Sequence, residues 1–94
     1  MIMNWVVYMI FCSDDSLYTG ITNNLERRVA QHADQRGAKY FRGRMPGPVV
    51  YLEQGHTRSS ASRREAAIKR LSAQAKRALI LTASNTLHSL NGEE

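Results

Sequence analysis

The run Trp5-Val6-Val7-Tyr8-Met9-Ile10-Phe11-Cys12 constrains the fold more than any other stretch of the 94 residues. It is rich in β-branched and aromatic side chains and apolar at odd and even positions alike, the pattern of a strand covered on both faces. Such a strand sits in the middle of a sheet, and the remaining chain must supply its neighbours. Ser13-Asp14-Asp15-Ser16 carries turn chemistry, and Leu17–Thr22 reads as the returning strand of a hairpin. Asn23-Asn24 can cap a helix whose apolar positions Leu25 and Val29 are spaced i, i+4, and which fades near Arg36-Gly37. A loop over 37–48, punctuated by Gly and Pro, precedes a third short strand, Val49–Leu52. Ser59–Ser62 opens a second helix running through Ile68 and Leu71. Ser72 either caps a third helix, Ala73 to about Leu81, or the second continues unbroken. The order β-β-α-β-α-α predicts an α+β domain, a three-stranded antiparallel sheet flanked by helices. This length holds a single domain, with its core over 5–81 and a C-terminal tail over 82–94.

The charge is unevenly placed. All thirteen basic residues, ten of them Arg, fall between Arg27 and Arg77. Only Asp34, Glu53 and Glu65 oppose them there, leaving that segment at +10 within a chain of net charge +5. Arg favours planar, bidentate contact with phosphate, so the composition points to a polyanionic partner. The single Cys12 excludes a disulfide framework within one chain and a cysteine-based zinc site. A reducing cytoplasm is expected. The apolar N-terminus lacks a basic flank and a small-residue cleavage site, and it is far short of the ~20 residues needed to cross a bilayer. No membrane partner is expected.

Helical spacing puts Arg28 and His32 one turn apart beside Leu25 and Val29, at the seam between helix and sheet, while Arg27 points to solvent. On the second helix Glu65 flanks the Ala61/Ile68 face, with Lys69 one turn on. The hairpin offers Tyr8 and Tyr18. Together these residue types amount to a phosphate clamp, a metal carboxylate and candidate proton carriers. Glu65 also follows Ser62 in the pattern of a helix capping box, a structural role that competes with the chemical one. Lys39, Arg42 and Arg44, with Tyr40 and Phe41 between them, form a basic loop suited to backbone contact and base stacking.

Val7-Tyr8-Met9, Tyr18-Thr19-Gly20, Asn24-Leu25-Glu26-Arg27-Arg28 with His32, and Arg64-Glu65 resemble the GIY-YIG nuclease superfamily over roughly residues 5–80. The resemblance is closest to small stand-alone bacterial members. The nuclease domain of the bacterial excision-repair enzyme and the phage homing endonucleases are more distant. Val6 stands where the first glycine would be, Thr19 replaces the isoleucine, and Ile21 occupies a place where some relatives carry lysine.

The resemblance implies a metal-dependent endonuclease hydrolysing phosphodiester bonds, with DNA favoured over RNA and recognition directed by nucleic-acid structure or by a protein partner. It implies catalytic Tyr8, Tyr18, Arg28, His32 and Glu65, with Glu65 holding one Mg²⁺ or Mn²⁺. Arg28 would clamp a non-bridging oxygen. A tyrosine, assisted by His32 or by metal-bound water, would take the proton from the attacking water, and the sequence leaves open which tyrosine. Lys39, Tyr40, Arg42, Arg44, Arg63, Arg64 and Lys69 would grip the nucleic acid. The rival is a non-catalytic nucleic-acid-binding module that keeps the fold for its basic surface.

A geometric condition follows from strand alternation. Tyr8 and Tyr18 share a sheet face only if the hairpin loop has an odd number of residues. A three-residue loop, Ser13-Asp14-Asp15, is expected.

Overall fold

The computed structural model describes residues 2–34, 41 and 43–87. Its elements are β1 (Trp5–Cys12), β2 (Leu17–Thr22), α1 (Leu25–Ala33), β3 (Pro46–His56), α2 (Arg58–Lys69) and α3 (Ala73–Ile80). The three strands form one antiparallel sheet in the order β2-β1-β3. The doubly apolar strand is therefore the central one, as its composition requires.

Alternation along β1 divides the interior in two. Val7 and Met9 join Tyr51 of β3 and Ala61 and Ile68 of α2, with Leu79 and Ile80 of α3 packed alongside. Tyr8, Ile10 and Cys12 point the other way, toward Leu52, Phe41 and Leu25 of α1. Thus α1 covers one face of the sheet, and α2 and α3 cover the other. Among the described residues no helix is long and apolar enough to cross a membrane.

The hairpin closes where Cys12 N–H donates to the Ser16 carbonyl at 2.9 Å, which leaves Ser13-Asp14-Asp15 as a three-residue loop. Asp15 takes a left-handed conformation at φ 67°, the usual third position of such a loop. The Asp14 carboxylate accepts from Ser16 N–H and Oγ at 3.2 and 2.5 Å, and from Arg44 Nε at 2.6 Å. The Ser16 hydroxyl, followed by Arg44, holds its pKa down at about 2.

Three boundaries differ from the sequence expectation. β3 runs over eleven residues rather than the four of Val49–Leu52. Pro46 and Pro48 are tolerated because β3 is an outer strand and bonds β1 on one side only. Its irregular register, with shifts between Trp5 and Val7 and between Ile10 and Cys12, accommodates Gly55 at φ 83° and Gly47. A Cβ at Gly47 would run into the Phe11 carbonyl.

α2 starts earlier than Ser59. Thr57 caps it, accepting from Ser60 N–H at 3.1 Å while Ser60 Oγ accepts from Thr57 N–H at 3.0 Å. That reciprocal pair is the capping box, so Ser62 and Glu65 do not form one and Glu65 lies mid-helix. Ser72 does cap a separate α3.

The third difference is at the C-terminal side. Residues 82–87 of the expected C-terminal tail bond and pack against β3 and the core. Thr86 N–H donates to the Leu52 carbonyl at 2.7 Å, Leu87 packs into the Tyr8 core, and Asn85 is 3% exposed. The Asn85 amide accepts from Leu52 N–H and Leu87 N–H and donates to the Val50 and Ile80 carbonyls, all within 3.1 Å. This segment bonds along β3, the outer strand whose backbone groups need partners.

Candidate active site

Four rings meet on the α1 face of the sheet. Tyr8 is directly opposite Gly20, and Tyr18, two residues before Gly20, lies on the same face. The odd hairpin loop thus brings both tyrosines together, with ring centroids 6.2 Å apart. α1 is capped by Asn24, whose side chain accepts from Arg27 N–H at 3.1 Å, and two turns later it delivers His32 to the cluster. His32 is fully buried, with its ring 5.3 Å from Tyr18 and 4.6 Å from Phe41. Its Nε2 is 2.9 Å from the Tyr8 hydroxyl. Its Nδ1 is buried without a partner among the described residues.

Gly20 has a steric reason for being glycine. A Cβ there would come within 2.6 Å of the Tyr8 hydroxyl and 3.0 Å of the Tyr18 ring. The Tyr8 ring cannot yield freely, because its hydroxyl is tied to His32. Gly20→Ala is therefore expected to displace both phenols at about 1–3 kcal/mol. Loss of the Tyr8–His32 contact by NMR, with the sheet intact, checks it; unperturbed Tyr8 and His32 resonances contradict it.

Burial and the adjacent Tyr18 hydroxyl raise the Tyr8 pKa, and Arg28 only partly counters them. Tyr8 is a neutral phenol at physiological pH. Burial, followed by the Arg28 charge, pushes His32 down to about 4. The folded state thus holds His32 neutral, whereas an unfolded histidine protonates near 6.5. The unfolded chain then binds the extra proton between about pH 6.5 and 4, so stability falls as pH drops through that window. A loss of up to about 3 kcal/mol is expected there, and unfolding titrations of wild type and His32→Gln would read it. An equally steep acid slope in the variant would contradict the assignment.

The remaining residues occupy distinct places. Arg27 is exposed, as expected, and Arg28 is half-buried, with Nη1 3.0 Å from Gln31 Oε1. Tyr18 is also half-buried. Glu65 is on α2, across the sheet from the ring cluster, and its Oε2 is 3.1 Å from Lys69 Nζ. The site residues therefore do not share one face. The helix that carries Glu65, α2, packs most heavily on β2, the outer strand that carries Tyr18.

The described basic residues of the expected grip are all engaged internally. Arg44 binds Asp14, Arg63 donates to Ser59 Oγ at 2.7 Å, and Arg64 Nε lies 3.0 Å from Glu53. Lys39, Tyr40 and Arg42 lie outside the described residues. Phe41, expected to be available for base stacking, is 1% exposed and wedged against Tyr18 and His32.

Sequence reasoning missed a second polar cluster. Glu53 accepts from the Tyr51 hydroxyl at 2.7 Å, from His56 Nε2 at 2.8 Å and from Arg64. Burial raises the Glu53 pKa, but these three donors outweigh it and the carboxyl stays below its usual range. Tyr51 and His56 are both within three residues of Glu53 on one strand, the only local signal available.

Could the chain hold a metal ion? Among the described residues no three His, Cys, Asp or Glu side chains converge. A dedicated cage is absent from that set. Glu65 alone, 22% exposed and paired with a 53%-exposed lysine, suits an ion that keeps several waters and takes its other oxygen ligands from a phosphate.

Known proteins resemble this chain over most of its length. Residues 4–78 match the GIY-YIG catalytic domain. A UPF0213 protein of Desulfotalea psychrophila is 49% identical over 77 residues, covering 81% of this chain and 70% of that one. A UPF0213 protein of Natronomonas pharaonis is 49% identical over 74 residues, covering 79% and 87%. The solution NMR structure of a Bacillus halodurans UPF0213 protein superposes with a TM-score of 0.57 at 36% identity, covering 94% of each chain. With the domain matched across the hairpin, α1 and α2, and close relatives matched over most of its length, the chain belongs to the GIY-YIG family.

Proposed function

We propose that the protein is a metal-dependent endonuclease that hydrolyses phosphodiester bonds in structured DNA at the β2 edge of its sheet. The observation that carries this reading is a buried, neutral Tyr8–His32 contact with Arg28 next to both and a half-buried Tyr18 in the same ring cluster. Tyr8 has its hydroxyl committed to His32 and its pKa raised by burial, which suits a positioning role. Tyr18, closer to solvent, is the better candidate to orient the attacking water and receive its proton. His32, kept neutral, supports the phenols as a hydrogen-bond partner that can accept charge.

Arg28 would bind a non-bridging phosphate oxygen and oppose charge developing there. The Gln31 contact joins a charged guanidinium to a neutral amide oxygen, and an anionic phosphate oxygen is the stronger acceptor for it. Glu65 would exchange Lys69 for Mg²⁺ or Mn²⁺. Such an ion, when bound, supplies charge at the scissile phosphate and leaving oxygen. With no separate recognition domain among the described elements, choice of substrate would rest on nucleic-acid shape or a protein partner, in the manner of a DNA-repair nuclease acting in the cytoplasm.

The Glu65–Lys69 pair favours one second reading, a metal-free binding module, because it already neutralises the carboxylate. Nicked, branched, single-stranded and duplex DNA, and RNA, incubated with Mn²⁺ or Mg²⁺, separate the two. Metal-dependent cleavage supports the nuclease. Salt-sensitive binding without cleavage of any substrate supports the module.

A further inference from the structure

A cavity of about 170 Å³ opens between the β1–β2 turn and α3, lined by Asp15, Ser16, Leu17, Ala73, Lys76 and Arg77. It is separate from the ring cluster. Leu17 points to the α2/α3 face, whereas Tyr18, the next residue, points to the α1 face. None of its residues contributes to the site described above.

Two cations line this recess. Lys76 is half-buried, and no carboxylate pairs with its ammonium among the described residues. Partial burial of an unpaired cation is unfavourable in the free protein and is relieved by an anionic ligand. Arg77 Nη2 makes one long contact, 3.3 Å, to the Asp15 carbonyl. That contact holds the guanidinium at the recess and leaves most of its five donors available. The two side chains flank a concavity rather than a ridge, which distinguishes them from an ordinary solvated helix face.

We propose that this recess is a second phosphate site, in which Lys76 and Arg77 hold one backbone phosphate of the nucleic acid away from the bond being cut. The proposal rests on the nucleic-acid reading given above and extends its footprint. β2 is an outer strand, so a polynucleotide following its edge passes from Tyr18 on one face to Leu17 and the recess on the other. The wall also contains one carboxylate, Asp15, which opposes an anion and gives the test an opposite-sign arm.

The experiment measures DNA binding by fluorescence anisotropy without metal, from 50 to 200 mM salt, for the full chain and two variants. Lys76→Gln removes the charge while keeping a long polar side chain and should bind less tightly. Its dependence of log K on log salt should be shallower by about one, so its deficit should shrink about 3.5-fold across that salt range. Asp15→Asn keeps a residue that tolerates φ 67° and should bind more tightly than wild type. Inorganic phosphate should shift the amide resonances of Ala73 to Arg77 in wild type and not in Lys76→Gln. Wild-type affinity and salt slope in both variants overturn the proposal, as does weakened binding of Lys76→Gln with an unchanged slope. Cleavage at saturating DNA separates this result from the nuclease reading. Should wild type cut nothing while the slopes change as stated, the nuclease reading falls and the recess stands; cleavage with unaltered binding gives the converse.

Discussion

Replacing Arg28 by Ala is expected to lower the rate of metal-dependent cleavage at saturating substrate by about 10²–10³-fold, the typical loss when one preorganised charge-stabilising group is removed. Nucleic-acid affinity should change far less, because Arg28 is one of thirteen cations. Arg28→Lys should recover little, since a point charge does not reproduce the planar fork that spans two oxygens. Glu65→Gln should match Arg28→Ala in rate, and its residual activity should no longer respond to metal concentration. The fold should survive both changes. Arg28 is half-buried, with contacts to Gln31 and the Tyr8 hydroxyl, and Tyr8 keeps His32 as a partner without it; Glu65 is paired with a largely exposed lysine, worth a few tenths of a kcal/mol. Single-turnover rates with unfolding curves on the same samples check this. A Glu65→Gln protein with wild-type, metal-responsive cleavage would sink the assignment.

The largest effect on stability is expected at Asn85. Its amide satisfies two backbone N–H groups and two carbonyls, joining the segment after α3 to β3. Truncation to Ala leaves buried backbone groups of Leu52 and Val50 without these partners and opens a cavity. Each such orphan costs about 1–3 kcal/mol, so a total near 3 kcal/mol is expected for Asn85→Ala. In a domain of this size that corresponds to a fall in Tm of more than about 10 °C. Chemical and thermal denaturation measure it, and a loss under about 1 kcal/mol would show that the segment is not bonded to β3 as described. Asn85 spends its hydrogen-bonding capacity on the backbone, so it has none left for a substrate phosphate.

Much of this was legible in the sequence because the relevant physics is local. β1 declares itself central by being apolar on both faces, Asn24 and Ser72 are helix caps by residue type, and the shared face of Tyr8 and Tyr18 follows from counting a three-residue loop. What was not legible depends on partners distant in sequence. Pro46, Gly47 and Pro48 look like loop punctuation until β3 is known to be an outer strand. Asn85 and Thr86 fall in the expected C-terminal tail, yet their side chains donate to the Val50 and Leu52 carbonyls of β3. Phe41 sits among cations in sequence, and its burial against His32 exists only in three dimensions. Glu53 counts in the sequence as a stray negative charge; the structure surrounds it with a phenol, an imidazole and a guanidinium.

The two-sided burial of β1 bears on how relatives of this chain should be read. Tyr8 is both a member of the site and one of the largest fully buried side chains in the protein. A relative without hydrolytic activity would still keep it, along with Gly20 and the residues packed around them, because losing them costs folding. Arg28 and Glu65 carry no such insurance. If the proposed nuclease reading holds, an intact Tyr8 in a relative testifies to ancestry, and the pair Arg28 and Glu65 testifies to present use.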